Sequence, residues 1–257
     1  PALLIAETVR QNLKKMIYVL IGMSLLFVAI GFIVTENNAK YLLSGYNTMS
    51  EEERKKVDIK SYIPYFRKFH IVLGISFFVL GYGINLINKN AAGIFLVVYP
   101  ILAYIYFAGT SSKFSGGLKT KSNKIGLLVL AGAFIFVIGL LAYGFKENKI
   151  IFDSQKIEFK GDYGETWQTD QIKSIEIKNE LPKITLKTNG FALGDVRKGY
   201  FKTENGEIVK LILNSAQKPY ILFTKSDGKK IYYSAKEKPN EEILNEIKKT
   251  LPNNGYK

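Results

Sequence analysis

The sequence predicts a membrane α-helical bundle of about four transmembrane helices over residues 1–145, then a mainly β domain with a C-terminal capping helix over 146–257. Three observations predict it. Four long apolar runs carry no charge, the hydropathy pattern changes to period two after about Ile150, and one amphipathic stretch closes the chain. Bulk averages conceal this division: 47% hydrophobic and 23% charged residues describe an ordinary soluble protein. Up to Gly144 there are 15 Lys+Arg against 6 Asp+Glu, and the remainder holds 21 against 16, so the +14 divides into surpluses of nine and five. With no Cys, disulfides, thiol nucleophiles and Cys-ligated metals are excluded.

The four runs are Met16–Val34, Phe69–Ile87, Ala91–Gly109 and Ile125–Phe145, and none contains Asp, Glu, Lys or Arg. A hydrocarbon core of about 30 Å needs roughly 20 helical residues. Soluble core helices would show a polar face, which these lack. Arg10, Lys14 and Lys15 before the first run resemble the start of a signal peptide. The run is longer than a signal core, however, and Thr35-Glu36-Asn37-Asn38 offers no small-residue cleavage site, so a retained span is expected. Asn88-Lys89-Asn90 is the only break between the second and third spans, which predicts a tight helical hairpin, and Pro100 is expected to kink the third.

Basic residues favour the cytoplasmic side. Segments 35–68 and 110–124 hold eleven, against eight on the opposite side, which places both loops in the cytoplasm and both termini outside.

Beyond the spans, Lys156–Lys160, Ser174–Lys178, Lys183–Lys187 and Lys230–Tyr233 alternate, whereas Glu207–Leu213 and Tyr220–Phe223 are more densely apolar. Turns are expected at Gly161–Gly164, Asn189-Gly190, Asn205-Gly206 and Asp227-Gly228. Short strands at this spacing suggest a small antiparallel sandwich or barrel. In the final stretch Asn240 is the expected N-cap, Ile243, Leu244, Ile247 and Leu251 form one stripe, and Pro252 ends the helix.

Strands followed by one capping helix resemble a bacterial pleckstrin-homology (PH) domain over roughly 150–251. Leu181–Phe191 running into Gly194–Phe201 is similar to the signature of one bacterial PH-like family. That resemblance implies about seven strands and a binding rather than catalytic role. The candidate binding residues are Asn189, Gly190, Phe191, Arg197, Lys198, Gly199, Tyr200 and Phe201. An exposed strand edge or the strand–helix groove is the natural docking place for a peptide. Many eukaryotic PH domains bind phosphoinositides through a basic first loop, but here that loop, Lys160–Glu165, holds two acids, which argues against such binding. Nearer the N-terminus, Ser44–Lys56 resembles the hallmark of a bacterial membrane family of unknown function, over roughly 16–110. Its candidate residues are Tyr46, Asn47, Thr48, Met49 and Ser50. They also have a local explanation, because Thr48-x-x-Glu51 and Ser50-x-x-Glu53 are both capping boxes.

No catalytic constellation emerges. His70 is the only histidine and is expected to be an interfacial polar residue, so neither a multi-His metal site nor a Ser-His-Asp triad is available. Asp162, Glu165 and Asp170 surround Trp167 as solvated turn residues, and no Gly-Lys-Ser/Thr marks a phosphate loop. The spans contain no carboxylate for proton-coupled transport; Asn85 is their main amide and suits helix packing. Lysines number 32 and arginines 4, against the Arg-rich pattern of nucleic-acid readers. The expectation is therefore a non-enzymatic, multi-pass bacterial inner-membrane protein with no cofactor or metal. Its PH-like domain would bind a protein, peptide or envelope component at the membrane surface. Membrane lipids and an unidentified partner are expected, and nucleic acid is not. An immunity or stress-protection protein guarding its membrane against a toxin is the alternative.

Overall fold

The computed structural model describes the backbone of residues 2–117 and 121–251, and side chains from residue 16 to 117 and from 124 to 251. The chain divides into two compact units, residues 1–139 and 140–257.

The first unit is helical: α1 (Ala2–Ile33), α2 (Ala39–Leu42), α3 (Glu51–Lys56), α4 (Ile59–Ile87), α5 (Lys89–Ser111) and α6 (Lys121–Gly144), the last crossing the division. Stretches Met16–Ile33, Ile59–Ile87, Lys89–Phe114 and Lys124–Gly144 are long and apolar enough to cross a membrane. Helix α4 begins ten residues before the predicted Phe69, because Asp58 caps it by accepting from the Ser61 amide at 3.1 Å. One residue suffices for the hairpin: the Asn88 amide bonds the Ile84 carbonyl, closing α4, while its side chain accepts from the Ala91 amide at 2.9 Å, opening α5. Lys89 and Asn90 are helical, and α5 continues through Pro100.

Helices α1 and α4 approach closely where side chains are absent. A Cβ on Gly74 would lie 2.7 Å from the Ser24 carbonyl, and one on Gly31 would lie 3.0 Å from the His70 Cβ. Leu20, Phe27, Leu73 and Phe77 form one core beside these crossings, and Val34, Ala39, Ile63, Phe66 and Phe107 a second towards the loops. His70 is inside this packing at 1% exposure. The Phe66 carbonyl accepts from its Nδ1 at 2.8 Å, so in the neutral ring Nε2 accepts from the Tyr104 hydroxyl at 3.2 Å. Asn85 is buried as expected for a packing residue, although no partner for its Nδ2 is found among the described residues.

The second unit contains β1 (Lys149–Phe152), β2 (Lys156–Lys160), β3 (Thr166–Gln168), β4 (Ile172–Lys178), β5 (Ile184–Leu193), β6 (Val196–Thr203), β7 (Ile208–Leu213), β8 (Tyr220–Lys225), β9 (Lys230–Ser234) and α7 (Asn240–Thr250). Strands β1-β2-β3 form a small antiparallel sheet, and the larger sheet runs β4-β8-β9-β7-β6-β5. The expected antiparallel architecture holds except for one pair: β7 and β9 are parallel. Trp167, Phe159 and Ile157 of the small sheet and Ile243, Leu244 and Ile247 of α7 share one core with Ile175, Ile221 and Phe223. Phe201, Val209, Leu211 and Leu222 form another. Strand β7 supplies both cores, which explains its dense apolar run.

Two local expectations are corrected. Asn189-Gly190 is not a turn but the middle of β5; the hairpin reverses at Gly194-Asp195. Asn240 does not cap α7, because Pro239 occupies that position. Its buried amide instead accepts from the Ala235 N–H at 2.9 Å and donates to the Pro219 carbonyl at 2.8 Å, fastening α7 to the loops around β8 and β9. Pro252 lies outside the described residues.

Candidate functional site

The β5–β6 hairpin brings the Asn189–Phe201 candidates together. Gly190 and Gly199 face each other across the pair with φ of 152° and 121°. A Cβ on either would strike the opposite strand's backbone, at 2.1 Å from the Lys198 carbonyl or 2.2 Å from the Asn189 carbonyl, so these positions require glycine. Phe191 stacks edge-on against Phe145 at 5.5 Å and also meets Gly144, the end of α6. Asn189 is exposed and accepts from the Tyr163 hydroxyl at 3.0 Å. Tyr200 is half-exposed against Tyr163, with the Lys210 ammonium 4.9 Å from its ring centre. Phe201 turns into the core, and Arg197 is half-buried.

Lys198 is wholly buried, and its Nζ donates to the Lys146 carbonyl. Burial pushes its ammonium below the usual lysine range, against the opposing pull of Asp162 and Glu147. The same short segment is held at every residue. The Lys236 amide donates to Glu147 at 3.2 Å, and Asn214 exchanges two 2.8 Å hydrogen bonds with the Asn148 backbone. The hairpin signature therefore has a concrete structural use: it grips the segment between α6 and β1.

Glu165, expected to be a solvated turn residue, forms an ion pair with the nearly buried Lys210. Desolvation raises its pKa, but the hydrogen bond and charge of Lys210 outweigh this and hold the carboxyl below its ordinary value. Among the described residues no group of three or more His, Cys, Asp or Glu could hold a metal.

A second candidate lies on the opposite edge of the large sheet. Strand β4 pairs only with β8, so among the described residues no strand covers its outer edge. Beside it runs a groove of about 760 Å³ lined by Lys173–Ile177 of β4 and by Leu244 and Lys248 of α7. Ile175 and Leu244 form its apolar floor. Glu176 is engaged by Lys178 at 2.6 Å and by the Ser174 hydroxyl at 2.8 Å, which lower its pKa. Lys173 and Lys248 are exposed and in no ion pair among the described residues. The period-two pattern locates this strand, but only the fold identifies it as an edge and sets α7 beside it.

In the first unit Arg54 organises the Tyr46–Ser50 loop. Its Nε and Nη2 donate to the Tyr46 and Asn47 carbonyls, both at 3.1 Å. Ser50 and Glu53 form the predicted capping box, whereas Thr48 does not: its hydroxyl donates to the Gly45 carbonyl at 3.1 Å, leaving Ser50 as the cap of α3. Met49 packs inward and Asn47 is exposed.

Residues 21–115 match a family described as "Domain of unknown function (DUF3784)". The match takes in the Tyr46–Ser50 loop and ends just past α5. No PH-like family was identified in the C-terminal unit. No curated protein and no solved structure matches the chain.

Proposed function

We propose that this chain is a non-enzymatic integral protein of a bacterial inner membrane whose C-terminal, PH-like unit binds an extended, acidic segment of a partner protein. The observation that carries this reading is the uncovered β4 edge beside α7, flanked by the exposed ammonium groups of Lys173 and Lys248. An added strand would satisfy the edge's backbone groups, rest apolar side chains on Ile175 and Leu244, and meet the two lysines with its carboxylates. The hairpin residues Asn189–Phe191 and Arg197–Phe201 serve in this reading as supports that fix the module to the end of α6.

A photo-crosslinking residue placed at Lys173 or Lys248 of the full chain in native membranes tests the proposal. The expected result is capture of the same protein from both positions, and none from a control at Leu186, on the far edge strand β5. Equal capture at Leu186, or lipid adducts alone, would overturn it.

A further inference from the structure

The Tyr46–Ser50 loop forms one wall of a cavity of about 510 Å³ in the helical unit. Tyr46 and Met49 face Tyr62 of α4, Phe107 and Ala108 of α5, and Leu127 of α6. That size is in the range of small-molecule pockets, roughly 300–1,000 Å³, and the lining is mostly apolar, with Ser111 and Ser115 as its polar exceptions on the α5 side. The cavity lies where α4 begins and α5 ends, at the junction between apolar helix and basic loop.

The charge beside it is one-sided. Segments 35–68 and 110–124 contain eleven basic and five acidic residues. Two of the acids are committed locally, Glu53 to the Ser50 cap and Asp58 to the Ser61 amide. Arg54 is spent on the loop carbonyls. The turn after α5 packs on the end of α3: a Cβ on Gly116 would overlap the Lys56 carbonyl, and the Asp58 amide bonds the Phe114 carbonyl at 3.0 Å. Lys56 and Lys113 are therefore on adjoining segments, each next in sequence to a residue that lines the cavity, Val57 and Phe114; both are exposed and in no ion pair among the described residues. The Lys113 ammonium lies over the rings of Tyr65 and Phe114 at 4.6 and 5.0 Å, which brings it beside the aromatic wall.

We infer that this cavity is a binding site for an acidic phospholipid of the surrounding bilayer, with an acyl chain against Met49, Phe107 and Leu127 and the phosphate between Lys56 and Lys113. Apolar walls select a chain, a surplus of cations selects a negative headgroup, and the position at helix ends puts both at their natural depth. The conspicuous loop thereby acquires a use: Arg54 and the Ser50 cap hold Tyr46 and Met49 in place as a wall.

The test is native mass spectrometry of the full chain, delipidated in mild detergent and titrated with phosphatidylglycerol or phosphatidylcholine. One phosphatidylglycerol should be retained with at least fivefold preference. Filling the cavity with Ala108→Trp should reduce retention about fivefold or more. Met49→Trp, on the loop and outside the packed helices, should do the same and guards against a misfolded first variant. Lys56→Gln with Lys113→Gln should bring the preference towards unity without reducing phosphatidylcholine retention. Equal retention of the two lipids by the intact chain, or retention undiminished in a folded Ala108→Trp or Met49→Trp variant, would overturn the site. Displacement of the lipid by millimolar glycerol phosphate would also overturn it, by assigning the cations to a soluble phosphate.

Discussion

Burying an ammonium is costly unless its protons find acceptors, and Lys198 finds one in the Lys146 carbonyl while Asp162 and Glu147 supply the opposing field. Its folded-state pKa is depressed, so the charged form is penalised in the folded chain and the penalty is relieved as pH rises through that depressed value towards the ordinary 10.5. Denaturant melts of the wild type and Lys198→Met, compared between pH 7 and 10.5, should therefore show the difference moving in favour of the wild type at higher pH. A pH-independent difference would refute this account of Lys198. Glu165 has the opposite sign. Its lowered pKa means that its contribution is complete above the ordinary value of 4.5 and fades as pH falls through the folded-state value. The stability advantage of the wild type over Glu165→Gln should shrink on acidification below pH 4.5. None of these partnerships was legible in the sequence: Lys198 and Lys146, or Glu165 and Lys210, are far apart in the chain and are joined only by the tertiary fold. The burial of His70 was hidden for a related reason: Arg67 and Lys68 stand beside it in the sequence, but Gly31 on α1 lets that helix close over it.

At the scale of elements, the period-two pattern located β2, β4, β7, β8 and β9 closely, because these strands alternate or run densely apolar into a core. Strand β6 was not assigned and β5 was cut short for one reason: Asn-Gly is the strongest short hairpin signal, yet here Gly190 exists to pass Gly199 on the neighbouring strand. Gly199→Ala tests this. At φ of 121° and with a Cβ placed 2.2 Å from the Asn189 carbonyl, the variant has both strain and overlap to relieve. A loss of at least ~1 kcal/mol is expected in denaturant melts, whereas Gly206→Ala, with a positive φ of 88° but open space at its Cβ, should lose less. The helices show the same logic. Spans were legible from length and absence of charge, but the packing pair was not. Gly74→Val would thrust methyls at the Ser24 carbonyl and is expected to lower the melting temperature of the purified chain, while Gly83→Val, with open space around it, should leave it nearly unchanged.

For the whole molecule, the meaning of the +14 depends on where the charges lie. The β unit neutralises many of its lysines in ion pairs such as Lys210–Glu165 and Lys230–Glu207, so that its surplus of five lies in isolated cations such as Lys173 and Lys248, which are the informative ones. The helical half concentrates its surplus in loops, where it bears on orientation as well as on lipid. Eleven basic residues against eight is a margin of three, so the proposed topology, with loops 35–68 and 110–124 in the cytoplasm and both termini outside, rests on few charges. An export-dependent reporter fused after Lys257 should be active, and a fluorescent cytoplasmic reporter at the same place should be dark. Replacing Lys55, Lys60 and Lys124 with Gln would bring the two sides level while sparing Arg54, Lys56 and Lys113. Such a chain should insert in both orientations and give partial signal from both reporters. If the unaltered chain lights only the cytoplasmic reporter, Arg10, Lys14 and Lys15 before the first span outweigh the loops, and the β4–α7 groove must be tested against cytoplasmic partners.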